Sequence, residues 1–204
     1  MILVNFKKYP ETEGEKGEKL ARICKEVMEE TGIKVIPVVT ELAAEKLNQI
    51  TEVWLQKPEM MEQANKMGIK GSLINHSDYR LTPNQIREIV KKKPEGFELM
   101  VCLSTLGQAE KWGKKLSNQW IAFEPKEYIG SSEKSVSSEK ATTIEKMVKF
   151  LDDKKVLVGA GIKSMIDVDI ACQLGAKGVL VATSVVKSED PKAKLLELAK
   201  GFRV

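Results

Sequence analysis

Three reactive side chains in this sequence stand where a short apolar run gives way to polar residues. His76, the only histidine, follows Gly71–Ile74 and Asn75. Glu124 follows Trp120–Phe123 without a spacer and precedes Pro125. Lys7 closes the run that begins at Ile2, with Asn5 two residues before it. A carboxylate directly behind an apolar run, with proline fixing the next φ, is held rigidly. Partial desolvation is expected to raise its pKa toward the range useful to a general base. An imidazole at the start of a helical turn is favoured in its neutral form, which can donate a hydrogen bond to a carbonyl oxygen and stabilise an enediolate. A lysine in the same mouth can hold an anion, and strand alternation turns Asn5 to the same side as Lys7.

Other segments offer backbone rather than side chains. Gly159-Ala160-Gly161 and Ala182-Thr183-Ser184 are small enough to let amide N–H groups approach an anion. Ile129-Gly130-Ser131-Ser132, shortly after Glu124, reads as a mobile lid. Each of these signals is weak alone. A lone lysine is usually solvated, a single histidine is usually packed or on the surface, and a Gly-x-Gly is usually a tight turn.

What gives them weight is the arrangement of the elements that carry them. Short β-branched runs alternate with charged amphipathic stretches along the whole chain. Strands are expected at 2–6, 34–39, 53–56, 71–74, 98–103, 120–123, 155–158 and 178–182. Helices are expected at 15–31, 40–49, 58–67, 82–92, 106–116, 137–152, 164–174 and 190–202. Thr82-Pro83 provides an N-cap and a first-turn proline, and Gly68 and Gly175 stand where helices end. Eight strands alternating with eight helices imply an α/β fold whose parallel sheet closes into a single (β/α)8 barrel spanning 1–204. Periodicity alone admits an open doubly wound sheet as well. In such a barrel the active site lies at the C-terminal ends of the strands, where His76, Glu124 and Lys7 stand, and the loops after strands 7 and 8 often hold phosphate.

Composition removes several function classes. The 204 residues carry 33 basic and 29 acidic side chains, interspersed and without a basic block, so a nucleic-acid interface is not expected. No apolar run could span a membrane, and Met1–Val4 is too brief for a signal peptide. Cys24, Cys102 and Cys172 are odd in number, far apart and within apolar runs, which argues against a disulfide framework or a zinc site and points to the cytoplasm.

Taken in order, these segments resemble the triosephosphate isomerase family, most closely its compact archaeal form. The resemblance rests on Asn5-Phe6-Lys7, Asn75-His76-Ser77, Phe123-Glu124-Pro125 with Ile129-Gly130, Val158-Gly159-Ala160-Gly161-Ile162, Gly178–Ala182 and Val185–Pro191. It implies interconversion of dihydroxyacetone phosphate and glyceraldehyde 3-phosphate, with Glu124 as base, His76 as electrophile, and Lys7 and Asn5 holding substrate. Gly130, Gly159, Gly161, Ala182 and Thr183 would face the phosphate and Ile129 would close over the substrate, with no cofactor or metal. The chain departs from the family where Gln56 passes almost at once to Pro58. The family has a long loop there that braces the lysine and asparagine of a neighbouring subunit. Without it a monomer or a non-family oligomer is expected, and a catalytically weak phosphate-binding barrel acting as sensor or scaffold is the alternative function. Asp78 and Tyr79 stand where the family tends to carry glutamate and often arginine, and Ser184 replaces a glycine common in archaeal relatives.

Overall fold

A computed structural model describes residues 1–112, 116, 119–129, 134–151 and 155–202. Its eight strands are β1 (Ile2–Asn5), β2 (Val35–Val39), β3 (Trp54–Leu55), β4 (Gly71–Ile74), β5 (Glu98–Leu103), β6 (Trp120–Phe123), β7 (Val156–Gly159) and β8 (Gly178–Val181). Each pairs in parallel with its neighbours, and the sheet closes because β1 pairs with both β2 and β8. Ile2 stands beside Val35 on one side and Val179 on the other. Closure removes the open-sheet alternative and leaves no unpaired edge.

The strands are almost wholly buried because both faces are covered. One face fills the barrel with an inner core that includes Leu3, Ile36, Trp54, Met100, Cys102, Leu157 and Leu180. The other packs under the helices in a larger outer core. Trp54 needs room inside the barrel, and Gly71 on the next strand provides it: a Cβ there would lie 2.6 Å from the indole ring.

The helices are α1 (Gly14–Thr31), α2 (Glu41–Asn48), α3 (Met61–Lys66), α4 (Pro83–Lys91), α5 (Leu106–Trp112), α6 (Val136–Glu139), α7 (Ala141–Leu151), α8 (Met165–Gln173), α9 (Thr183–Val186) and α10 (Pro191–Ala199). Thr82 and Ser164 close reciprocal capping boxes on α4 and α8. Gly68 and Gly175, just past α3 and α8, have φ of 81° and 93°.

One expected helix is corrected and one helix is added. The helix expected over 137–152 is split, because Lys140 leaves the helical region at φ −126° and serves both as the C-cap of α6 and as the first acceptor of α7. The start of α6 is also drawn to the loop after β7, where Val136 N–H donates to Ala160 O. Sequence periodicity did not indicate α9, whose four residues are too few to show a helical period. Residues 113–115 and 152, within expected helices, lie outside the described residues. No helix among the described residues is long and apolar enough to cross a membrane. The three cysteines are free thiols, with Cys24 and Cys102 buried.

Candidate active site

The C-terminal strand ends converge on a cavity of about 240 Å³. Asn5, Lys7, His76 and Glu124, at or just behind the ends of β1, β4 and β6, line it. Gly161, Ala182 and Thr183, behind β7 and β8, line it too, as does Ile129. Gly130, Ser131 and Ser132 lie outside the described residues, so of the expected lid only Ile129 is placed.

The turn that carries His76 is held from below. Asn75 adopts φ 60°, a conformation asparagine tolerates better than most residues. Its carboxamide accepts from Leu81 N–H at 3.0 Å and donates to Cys102 O at 2.7 Å. Arg80 donates to the Asn75 carbonyl and to Ser104 Oγ, both at 2.9 Å. This fixes the imidazole, which is 5% exposed. Asp78 N–H donates to His76 Nδ1 at 3.3 Å. With Nδ1 as acceptor, the proton of the neutral ring sits on Nε2, which lies 3.5 Å from Glu124 Oε1. Asn5 Nδ2 is also near Nε2, at 3.3 Å, but both atoms are then donors. Nε2–H faces the carboxylate and leaves the Asn5 amide available to a ligand. The expected helix end is thus a single turn here, and one identified N–H does the work assigned to its positive end.

Glu124 is 6% exposed at the end of β6. Burial pushes its carboxyl up, but the hydrogen bond from His76, the Cys102 thiol and the Lys7 charge outweigh that effect. The carboxyl therefore lies below the ordinary carboxylate range. This corrects the expectation of a raised pKa, which considered desolvation without the partners that burial brings into reach. Oε2 is buried and has no hydrogen-bond partner among the described residues.

Lys7 has φ 51° and forms an ion pair with Asp78 Oδ2 at 3.5 Å. Its N–H donates to Asn5 Oδ1 at 3.0 Å, which orients the Asn5 carboxamide. Gly161, at φ 69°, lines the cavity, and a Cβ there would collide with the Lys134 carbonyl. Gly159 plays a different part from the one expected. It does not line the cavity but lies beneath Glu124, where a Cβ would come within 2.9 Å of the glutamate Cγ. At α9 the N–H groups of Thr183 and Ser184 begin the first turn and have no acceptor within the helix.

Sequence reading missed Gln56, whose carboxamide donates to Lys7 O at 3.0 Å. The signal used for Glu124, a polar residue directly behind an apolar run, also marks Gln56. It missed Lys163, which lines the cavity beyond Gly161. It also missed Tyr9, whose hydroxyl meets Thr183 Oγ1 at 3.1 Å; no sequence signal joins residues so far apart. Among the described residues no group of three or more metal-ligating side chains is assembled.

Comparisons with known proteins bear on the family and the fold. The triosephosphate isomerase family profile matches residues 1–201. A triosephosphate isomerase of Methanothermus fervidus is 35% identical, covering 97% of this chain and 96% of its own. One from Methanopyrus kandleri is 36% identical, covering 98% and 97%. Among solved structures, a thiamine phosphate pyrophosphorylase from Pyrococcus furiosus superposes with a TM-score of 0.66 at 13% identity, covering 98% of this chain and 93% of that one. A mandelate oxidase superposes at 0.72 with 15% identity, covering 98% and 70%. At such identities these two bear on the fold alone.

Proposed function

The chain belongs to the triosephosphate isomerase family, and we propose that it interconverts dihydroxyacetone phosphate and glyceraldehyde 3-phosphate through an enediolate. Glu124 takes a proton from the carbon beside the carbonyl, using the Oε2 lone pairs that no described residue occupies. The electron pair of that C–H bond moves onto the carbonyl oxygen, where His76 Nε2–H and Lys7 oppose the growing charge. The Asn5 amide supports the same oxygens. The imidazole relays a proton between the two oxygens, and Glu124 returns its proton to the neighbouring carbon, so atoms and electrons balance within the substrate. No metal or organic cofactor is needed for these steps. The phosphate sits against Gly161, Ala182 and the first-turn amides of α9, with Lys163 adding positive charge to that wall.

The observation that carries this reading is the Asp78 N–H to Nδ1 hydrogen bond, which leaves a protonated Nε2 facing the Glu124 carboxylate. We further propose that residues 1–204 act as one unit in the cytoplasm, a reducing compartment compatible with three free thiols. The connection from β3 to α3 runs only from Gln56 to Met60, which supports a monomer or an assembly through another face. A coupled assay of glyceraldehyde 3-phosphate isomerisation tests the function. Turnover should fall by about 10³-fold or more in Glu124→Gln, by removal of the base, while phosphoglycolate still binds. Unchanged turnover in that variant sinks the mechanism. Binding without turnover in the unsubstituted protein would instead identify a phosphate-sensing barrel.

A further inference from the structure

We propose that the chain carries a second anion site, separate from the candidate active site, that takes a small phosphate or phosphate ester. A cavity of about 450 Å³ lies behind the ends of β4, β5 and β6. Arg80, Ser104, Thr105, Gln108, Trp112 and Lys126 are in its wall, and it shares no lining residue with the active-site cavity. The proposal does not depend on the isomerase reading.

The wall's oxygens are already engaged as acceptors, so what it has left to offer is donors. Ser104 Oγ accepts from Arg80 Nη2 at 2.9 Å, and Thr105 Oγ1 accepts from Gln108 N–H at 3.2 Å. Gln108 Oε1 accepts from Ser104 N–H at 2.7 Å, which fixes the carboxamide and leaves its NH₂ group as the free end. Arg80 is half-buried and rigid, held on Asn75 O and Ser104 Oγ. Both acceptors are neutral, and no carboxylate pairs with the guanidinium among the described residues. Its Nε–H and the Trp112 Nε1–H are buried with no acceptor among those residues. Lys126 has no ion-pair partner among them either. Glu127 is the one carboxylate of the wall, and it pairs with Lys140 at 3.8 Å. A half-buried guanidinium facing only neutral oxygens is stabilised by an oxyanion that its planar N–H groups can grip. With Lys126 as a second positive charge, a phosphate dianion matches the wall better than a single carboxylate does.

The test is an NMR titration of the full chain with inorganic phosphate and with phenyl phosphate. The Trp112 indole N–H resonance, assigned with Trp112→Phe, reports on this cavity, and the Gly161 amide reports on the active-site cavity. The same titrations are run on Lys126→Glu and on Lys16→Glu, an equal change of charge at an exposed position of α1. In the parent and in Lys16→Glu the Trp112 resonance should shift saturably. In Lys126→Glu its midpoint should rise by about 10-fold or more, as loss of a charged hydrogen-bond donor does, while the Gly161 midpoint stays within about twofold. Tighter binding of the ester or of the free ion supports the proposal in either case and tells which source the site prefers. Three results overturn it. One is the lack of a saturable Trp112 shift up to about 50 mM ligand, far above a millimolar Kd. The second is an unchanged Trp112 midpoint in Lys126→Glu. The third is a Trp112 midpoint equal to that of Gly161 in every protein, which would mean that the active-site cavity alone binds phosphate.

Discussion

At the scale of single residues the governing fact is competition around Glu124. Burial works against the carboxylate, whereas His76, Cys102 and Lys7 work for it, and the partners win. A depressed carboxyl adds stability that is fully present above the unfolded-state pKa and is lost as pH falls through the folded-state value. The base is therefore ionised at neutral pH, and the acid limb of kcat/KM should lie below the ordinary glutamate value of about 4.3. His76→Ala removes the chief opponent of desolvation, so the limb should move to higher pH as turnover falls by roughly 10²-fold or more. A pH–rate profile of that variant checks the sign, and a limb that stays put or moves down contradicts the assignment. The same buried setting raises the Cys102 thiol well above its usual range, so it is a neutral neighbour and not a competing nucleophile.

At the scale of elements, each strand end does one job and the loop after it does another. β7 ends in Gly159 so that Glu124 on β6 can lie over it, and the chain then turns at Gly161 to face the cavity. Gly159→Ala would push the glutamate from its seat and press on Leu180 of the inner core. A loss of about 10- to 100-fold in kcat is expected; wild-type kcat would show that the contact does not position the base. Strand and helix identities were legible because apolar runs and amphipathic stretches repeat without interruption. The break at Lys140 and the helix α9 were not, since both depend on contacts made elsewhere. Val136 is tied to Ala160, and α9 is too short to carry a period.

For the whole molecule, closure of the barrel brings residues 7, 76, 124, 161 and 183 to one cavity. The short β3–α3 connection leaves the braces on Lys7 within the chain. Specific activity should therefore remain constant on dilution, with sedimentation tracking the oligomeric state over the same range. Activity that disappears as an assembly dissociates would show that a second copy completes the site.

Legible in the sequence were the eight-fold alternation, the placement of Asn5, Lys7, His76 and Glu124 at the ends of apolar runs, and the small-residue turns after the seventh and eighth runs. These are local properties, set by side-chain period and by the residue that ends each run. Tertiary structure alone decided the rest. It closed the sheet, put the Asp78 N–H on His76, lowered the Glu124 carboxyl where desolvation predicted a rise, and laid Gln56 across β2 onto Lys7. Each depends on distances between segments far apart in the chain. A polar group's behaviour in a buried site follows from which partners reach it, and sequence spacing does not contain that information.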